Sequence, residues 1–266
     1  MSSNSRLIQV PIFSECLSQN KTPEYLFWVG SAGSFDDRAK KITRDFVKIL
    51  ESAKVDYAVL GSEETDSGDS ARRAGNEFLF QMQAIQNIET FKMYGIQKII
   101  TCDPHDYNTI KNEYPAYGGN YKVYHHTEFI AELIKNGKLS IKSKPFGHDA
   151  ITYHDPCYLG RGNKIYEEPR FIINQVTENL VEMKRNRSRA LCCGAGGAQM
   201  FKEPEKGEME VFELRTKDAL ELNPKVIITA CPFCMTMLTD GVKLHEKEDS
   251  IQVLDIAEII ARANQL

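Results

Sequence analysis

Val226-Ile227-Ile228-Thr229-Ala230-Cys231-Pro232-Phe233-Cys234 is the stretch that decides how the rest of the chain is read. Its β-branched run predicts a buried strand. Pro232 has no backbone N–H and restricts the residue before it, so the strand is expected to end there. Both thiols then fall in the loop at the strand's C-terminal end, where open α/β sheets place their ligands. Two other stretches carry matching chemistry: Tyr153-His154-Asp155-Pro156-Cys157 and Leu191-Cys192-Cys193-Gly194-Ala195-Gly196-Gly197. Together the three hold five of the seven cysteines.

Working outward, strands and helices alternate along the chain. Residues 25–30, 55–60, 98–102 and 121–125 read as strands, and 36–53, 75–94 and 127–135 as helices, with Ser34 as an N-cap and Gly95 as a C-terminal cap. Residues 61–73 read as a charged loop and 136–147 as a linker. Beyond it, 150–154, 180–183, 226–230 and 251–254 read as strands, and helices open at Glu168 and cover 208–222 and 256–263. This order predicts an α/β fold with mostly parallel sheets flanked by helices.

The two halves repeat. Lys98-Ile99-Ile100-Thr101-Cys102-Asp103-Pro104-His105-Asp106 parallels the 226–234 stretch, with Asp103 and Cys231 lying 128 residues apart. Val123 and Val253 are 130 apart, Ser31 and Cys157 126, and Asp66 and Cys193 127. The expected architecture is two similar lobes, residues 1–140 and 141–266, with their loop ends facing each other.

Composition narrows the function. A chain of 266 residues with 42% hydrophobic content can build real cores, and a formal charge of −4 suggests no nucleic-acid partner. Met1–Arg6 has no apolar run behind it and does not read as a signal peptide. No window approaches the ~18 consecutive apolar residues of a membrane span. Seven cysteines, an odd count, read as metal ligands or redox thiols in a reducing cytoplasm rather than as disulfides.

The spacing is Cys157, then 34 residues, Cys192-Cys193, then 37 residues, and Cys231-x-x-Cys234. A structural zinc uses four ligands. Five thiolates suit an iron–sulfur cluster, and the glycines after Cys193 let backbone amides approach anionic sulfur. Two other readings are open: a zinc-bound scaffold or assembly protein, and a metal-free thiol–disulfide reductase in which Cys231 and Cys234 cycle. With neither a ferredoxin-type cysteine run nor a G-x-G-x-x-G fingerprint, electrons must come from partners.

His154-Asp155-Pro156-Cys157-Tyr158-Leu159-Gly160-Arg161, Cys192-Cys193-Gly194-Ala195-Gly196-Gly197 and Ala230-Cys231-Pro232-Phe233-Cys234 resemble the cysteine-rich CCG domain. That domain occurs in heterodisulfide reductase and in iron–sulfur subunits of glycolate, lactate and glycerol-3-phosphate oxidoreductases. The resemblance runs from about Tyr25 onward. It implies that Cys157, Cys192, Cys193, Cys231 and Cys234 hold a noncubane [4Fe-4S] cluster handling electrons and, in the reductase, disulfide cleavage. It also implies a ferredoxin-like iron–sulfur subunit or a flavoprotein as partner.

The first half departs from the family pattern, with Ser31, Asp66, Asp103 and Asp106 where cysteines are expected. Carboxylates are hard ligands, so no cluster of the usual type is expected there. Either the site is vacant, with the aspartates solvated or paired to Arg72 and Arg73, or the three hold a divalent ion with His105 or His125 as extra ligands. Cys102 matches Ala230 and is expected buried, and Cys16 is expected in a loop. Of His125 and His126, one is expected packed and one solvated. Asp155, Arg161 and Arg170 are expected to orient the ligand loops or steer a partner, Met200-Phe201 to pack over the site, and 202–210 to be a solvated loop.

Overall fold

Four parallel strands form the first sheet, in the order β2-β1-β3-β4: β1 (Tyr25–Trp28), β2 (Tyr57–Ala58), β3 (Lys98–Thr101) and β4 (Lys122–His125). Three form the second, in the order β5-β6-β7: β5 (Ile151–Tyr153), β6 (Val226–Thr229) and β7 (Gln252–Asp255). In this computed structural model residues 9–203 and 206–266 are described. The Met1–Arg6 start and Pro204-Glu205 of the 202–210 stretch lie outside them.

The strands are short and apolar on both faces because helices cover each side. Leu26, Phe27, Trp28, Ile99, Ile100, Ile227 and Ile228 are fully buried. In chain order the helices are α1 (Phe13–Ser18), α2 (Gly30–Phe35), α3 (Asp37–Ser52), α4 (Asp69–Arg73), α5 (Glu77–Met93), α6 (Pro104–Asn108), α7 (His126–Lys135), α8 (Glu167–Val176), α9 (Val211–Leu220), α10 (Pro232–Leu244) and α11 (Ile256–Asn264). Helix α3 turns Ile42, Phe46, Ile49 and Leu50 to the core, as its apolar spacing predicts. Gly95 takes a left-handed conformation just past α5, as expected of a C-terminal cap.

Several local expectations change. Ser34 lies inside α2, and the cap of α3 is Asp36, whose carboxylate accepts from Ala39 N. The 61–73 loop contains a 3₁₀ turn and α4, and Cys16 lies in α1 rather than a loop. The strand expected over 180–183 shrinks to one bridge, Leu180 to Ile151. Glu182 there is drawn to the Arg170 guanidinium at 2.6 Å instead of continuing the ladder. Leu180 thus stands beside β5 as β2 stands beside β1.

The lobes are stapled by α11, which packs on α3 of the first lobe and α8 of its own. Asp255 caps α11 in a reciprocal capping box with Glu258. Arg38 of α3 donates to Glu258 Oε2 at 2.6 Å and to Val253 O at 3.0 Å, and Lys41 reaches Glu258 at 3.0 Å. No helix among the described residues is long and apolar enough to cross a membrane. Because Glu258 is almost fully buried under two cations, Glu258→Ala removes a cap bond and leaves Arg38 without its carboxylate. Chemical denaturation should show a loss of about 2–4 kcal/mol.

Candidate metal centre

Strands β5 and β6 run in register, Tyr153 against Ile228, so the residues that follow them leave the sheet together. His154 N still donates to Ile228 O at 2.8 Å. Cys231 is the extended N-cap of α10, with Pro232 in its first turn, where a fixed φ suits helix entry. Cys234 therefore lies on the helix rather than in a loop. Both thiols sit at a helix N-terminus, whose free amides and dipole favour anionic sulfur.

The Cys192-Cys193 segment is turned by Gly194 at φ +93°, a conformation a side chain would strain. Gly194 N donates to Cys192 Sγ at 3.4 Å. Cys193 Sγ lies 3.2 Å from Cys234 Sγ, far beyond the ~2.05 Å of a disulfide, and all seven cysteines are free thiols. Cys157 and Cys192 lie close enough that each is the largest influence on the other's proton affinity. Five sulfurs from three segments thus converge, with Met200, Phe233 and Met237 packed around them. Met200 covers the site as expected, whereas Phe201 is exposed.

The sulfurs strongly perturb one another. Hydrogen bonds from Cys157 and Cys193 hold Cys192 far below the usual thiol value. Burial and its sulfur neighbours push Cys234 well up. Cys231 is drawn to about 6: burial opposes this, but hydrogen bonds with Cys234 and His105 outweigh it. A donor set made only of sulfur, partly shielded from water, fits an iron–sulfur cluster.

The loops flanking these thiols are tied down. Arg170 grips Asp155 through two bonds of 2.8 and 2.9 Å and reaches Glu182 as well. Asp155 also accepts from Arg187 N at 2.8 Å, and Arg161 donates to Ala190 O. Asp155, Arg161 and Arg170 therefore orient the segments that bear Cys157 and Cys192.

The first lobe repeats this arrangement in oxygen. Asp66 accepts from Gly68 N at 2.7 Å, as Cys192 does from Gly194 N. Its counterpart by hydrogen bonding is thus Cys192, one residue from the Cys193 expected by spacing. Ser31 donates to Asp66 at 2.6 Å, where Cys157 meets Cys192. Ser67 donates to Asp106 at 2.5 Å, where Cys193 meets Cys234. Asp103, at the Cys231 position, caps α6 by accepting from His105 N at 2.8 Å. Ser67 is invisible to a search for lost cysteines; the 126-residue offset between Ser31 and Cys157 is the signal that finds it. Trp28 Nε1 donates to the other oxygen of Asp106 at 3.0 Å, and Gly30 is required beneath it, since a Cβ there would lie 2.3 Å from Asp106 Oδ2.

Arg72 and Arg73 do not pair with these three aspartates. They turn to Glu113, with Arg72 also reaching Glu77 and Arg73 reaching Asp69 at 3.0 Å, because α4 points them away from the strand ends. His105 takes the inner face of Asp69, Nδ1 to Oδ2 at 2.9 Å, and its ring stands 5.0 Å from Phe233 across the lobe boundary. Among the described residues, Asp103, His105 and Cys231 bring ligand atoms within 4.8 Å of one another, as do His154, Cys193 and Cys234; Asp66 and Asp106 join neither group. His125 and His126 are both fully buried, against the expectation of one solvated ring. His126 meets Asp255 at 3.0 Å and His125 bonds Thr127 at 2.8 Å. Cys102 is buried as expected. Between the lobes lies a cavity of about 400 Å³, with Asp66, Asp103 and Asp106 on one side and Pro232, Phe233 and Thr236 on the other.

Fold and site together define a two-lobed α/β protein with a thiol-lined centre in one lobe and an oxygen-lined counterpart in the other. Residues 25–111 and 151–239 each match the cysteine-rich domain family, CCG, and the chain belongs to it. It is 49% identical over 96% of its length to the "Probable iron-sulfur-binding oxidoreductase" of Bacillus subtilis, covering 36% of that protein. It is 46% identical over 90% of its length to the EtfAB:quinone oxidoreductase of Syntrophomonas wolfei, covering 34% of it. To a subunit of the dihydromethanophenazine:CoB–CoM heterodisulfide reductase of Methanosarcina barkeri it is 33% identical over 81% of its length, covering 53% of that subunit. The chain thus spans about a third of the first two relatives and about half of the third.

The first-lobe carboxylates make a pH prediction. Burial, followed by the charges of Asp66 and Asp69, pushes Asp106 up to about 7 against the pull of Ser67 and Trp28. The unfolded value is about 3.9, so the ionised form is the one folding disfavours. That cost is absent below pH ~4, grows as pH rises towards 7 and is constant above it. Asp106→Asn should therefore stabilise the protein at pH 8 and leave it unchanged at pH 4. Trp28 is the single tryptophan, and its fluorescence should titrate with a midpoint near pH 7 that Asp106→Asn abolishes. A midpoint that survives would assign the transition to Glu64, which burial raises to about 8 beside Val29 and Gly30.

Proposed function

We propose that the chain is an iron–sulfur electron-transfer unit of a larger oxidoreductase. One noncubane [4Fe-4S] cluster would be held by Cys157, Cys192, Cys193, Cys231 and Cys234. The observation that carries this reading is the convergence of five sulfurs, one more than zinc uses. When bound, such a cluster supplies electron transfer. The chain's own groups prepare the site. The α10 N-terminus and the Gly194–Gly197 turn present amides to anionic sulfur, Arg170 and Asp155 hold the ligand segments, and Met200, Phe233 and Met237 keep water away.

The relatives' names support an oxidoreductase role, and their greater length supports further redox domains or subunits. A ferredoxin-like iron–sulfur subunit or a flavoprotein is the partner class that the family resemblance favours. The cavity between the lobes has room for a small disulfide beside the start of α10. We place the lobe division at 140/141, between α7 and β5, and the protein in a reducing compartment such as the cytoplasm, which suits its free thiols.

For the first lobe we favour neither a cluster nor a divalent ion at Asp66, Asp103 and Asp106. Asp66 and Asp106 already commit both oxygens to Ser31, Gly68, Ser67 and Trp28. Anaerobically purified protein should contain about four iron and four acid-labile sulfide per chain. One zinc without sulfide would favour the scaffold reading, and neither metal nor sulfide the dithiol reductase. The double variant Cys231→Ala, Cys234→Ala should lose all iron. Iron with sulfide retained there would put a cluster in the first lobe, and a divalent ion lost on Asp103→Asn would restore the hard-metal site.

A further inference from the structure

Beside the sulfurs lies a second set of buried groups. His154 follows β5 and Arg215 sits on α9, and both are fully buried. Arg215 Nε donates to His154 Nδ1 at 2.9 Å. A guanidinium has only donors, so Nδ1 must offer its lone pair and the ring proton belongs on Nε2. Among the described residues, that Nε2 is buried with no hydrogen-bond partner. A His154 ring nitrogen, Cys193 Sγ and Cys234 Sγ all lie within 4.8 Å of one another. Arg215 is itself fixed, Nη1 donating to Arg185 O at 2.7 Å and meeting Asp218 at 3.4 Å. A buried donor without an acceptor costs stability. His154 thus carries a buried donor without an acceptor, on a ring with a nitrogen within reach of two of the site's sulfurs.

We propose that His154 donates a hydrogen bond from Nε2 to a sulfur of the bound cluster, that Arg215 holds it in the donor tautomer, and that the bond raises the cluster's reduction potential. This rests on the cluster reading above. The reduced cluster carries more negative charge on sulfur than the oxidised one, so a fixed donor stabilises it more. His154 is a positioning and tuning residue, not a ligand. To ligate through Nε2 the ring would have to move its proton to Nδ1, against the Arg215 N–H.

The test is a redox titration of anaerobic protein followed by electron paramagnetic resonance, with iron and sulfide measured on the same samples. His154→Leu should keep its iron and sulfide but shift the reduced-to-oxidised ratio about tenfold towards oxidised, ~59 mV lower for a one-electron couple. His154→Gln, whose amide N–H reaches the Nε2 region, should recover most of that shift. An unaltered potential in His154→Leu would overturn the proposal. So would loss of iron from both variants with the fold intact, which would make His154 a ligand. Should His154→Leu fail to fold, Arg215→Gln takes its place: it no longer dictates the tautomer and should also lower the potential, and an unchanged value overturns the proposal. Wild-type protein lacking acid-labile sulfide would sink the cluster reading and this inference with it, an outcome distinct from a cluster whose potential ignores His154.

Discussion

Five sulfur atoms cannot share one largely buried pocket as thiolates unless something positive lies among them. The second lobe is built around that constraint. Strand β6 ends at a proline that starts a helix, so Cys231 and Cys234 fall at a helix N-terminus. A left-handed glycine turns an amide back onto a third. Arg170 and Asp155 hold the loops in place from outside. Without a cation the relief is protonation: Cys157, Cys193 and Cys234 are pushed up, while Cys192 and Cys231 are drawn down by their neighbours.

The first lobe meets the same constraint with different chemistry. Where sulfur faces sulfur in one lobe, hydroxyl faces carboxylate in the other: Ser31 with Asp66, and Ser67 with Asp106. Each hydroxyl donates a hydrogen bond to its partner carboxylate, and both carboxylates still line the cavity between the lobes. Asp103 turns a ligand position into a helix cap, for which carboxylate oxygen is well suited and Cys231 makes no such bond. The result is an asymmetric pair within the CCG family, one lobe lined with thiols and the other with carboxylates and hydroxyls that hydrogen-bond one another.

Much of this was legible in the residues themselves. The β-branched runs at 98–101 and 226–229 and the apolar spacing of 36–53 are local signals, and β3, β6 and α3 lie within a few positions of where they were expected, whereas α1, α2, α4, α6 and α10 were not foreseen. The near-constant offset between halves pointed to two lobes, and the three cysteine stretches do converge. What escaped depends on partners distant in sequence. Leu180 pairs once because Arg170 captures Glu182. His126 is dry because Asp255, 129 residues away, receives it. The match of Asp66 to Cys192, not Cys193, follows the 126-residue offset of Ser31 and Cys157 rather than the 127 that pairs it with Cys193, and the Gly68 and Gly194 amide bonds show it. Arg215 gave no hint of itself, since its meaning lies in the ring it meets.

Helix α11 follows α3 by about 200 residues, yet it covers one side of α3 and seats Glu258 beneath Arg38 and Lys41. On a ribosome, the first lobe would emerge early and wait, part of its apolar surface uncovered, until the second lobe had been made. The two halves then complete each other late and together, with long-range contacts that slow such a step. A chain that looks like two tandem modules is therefore packed on one shared core. The oxygen-lined lobe is thus half of the platform on which the sulfur-lined lobe is held.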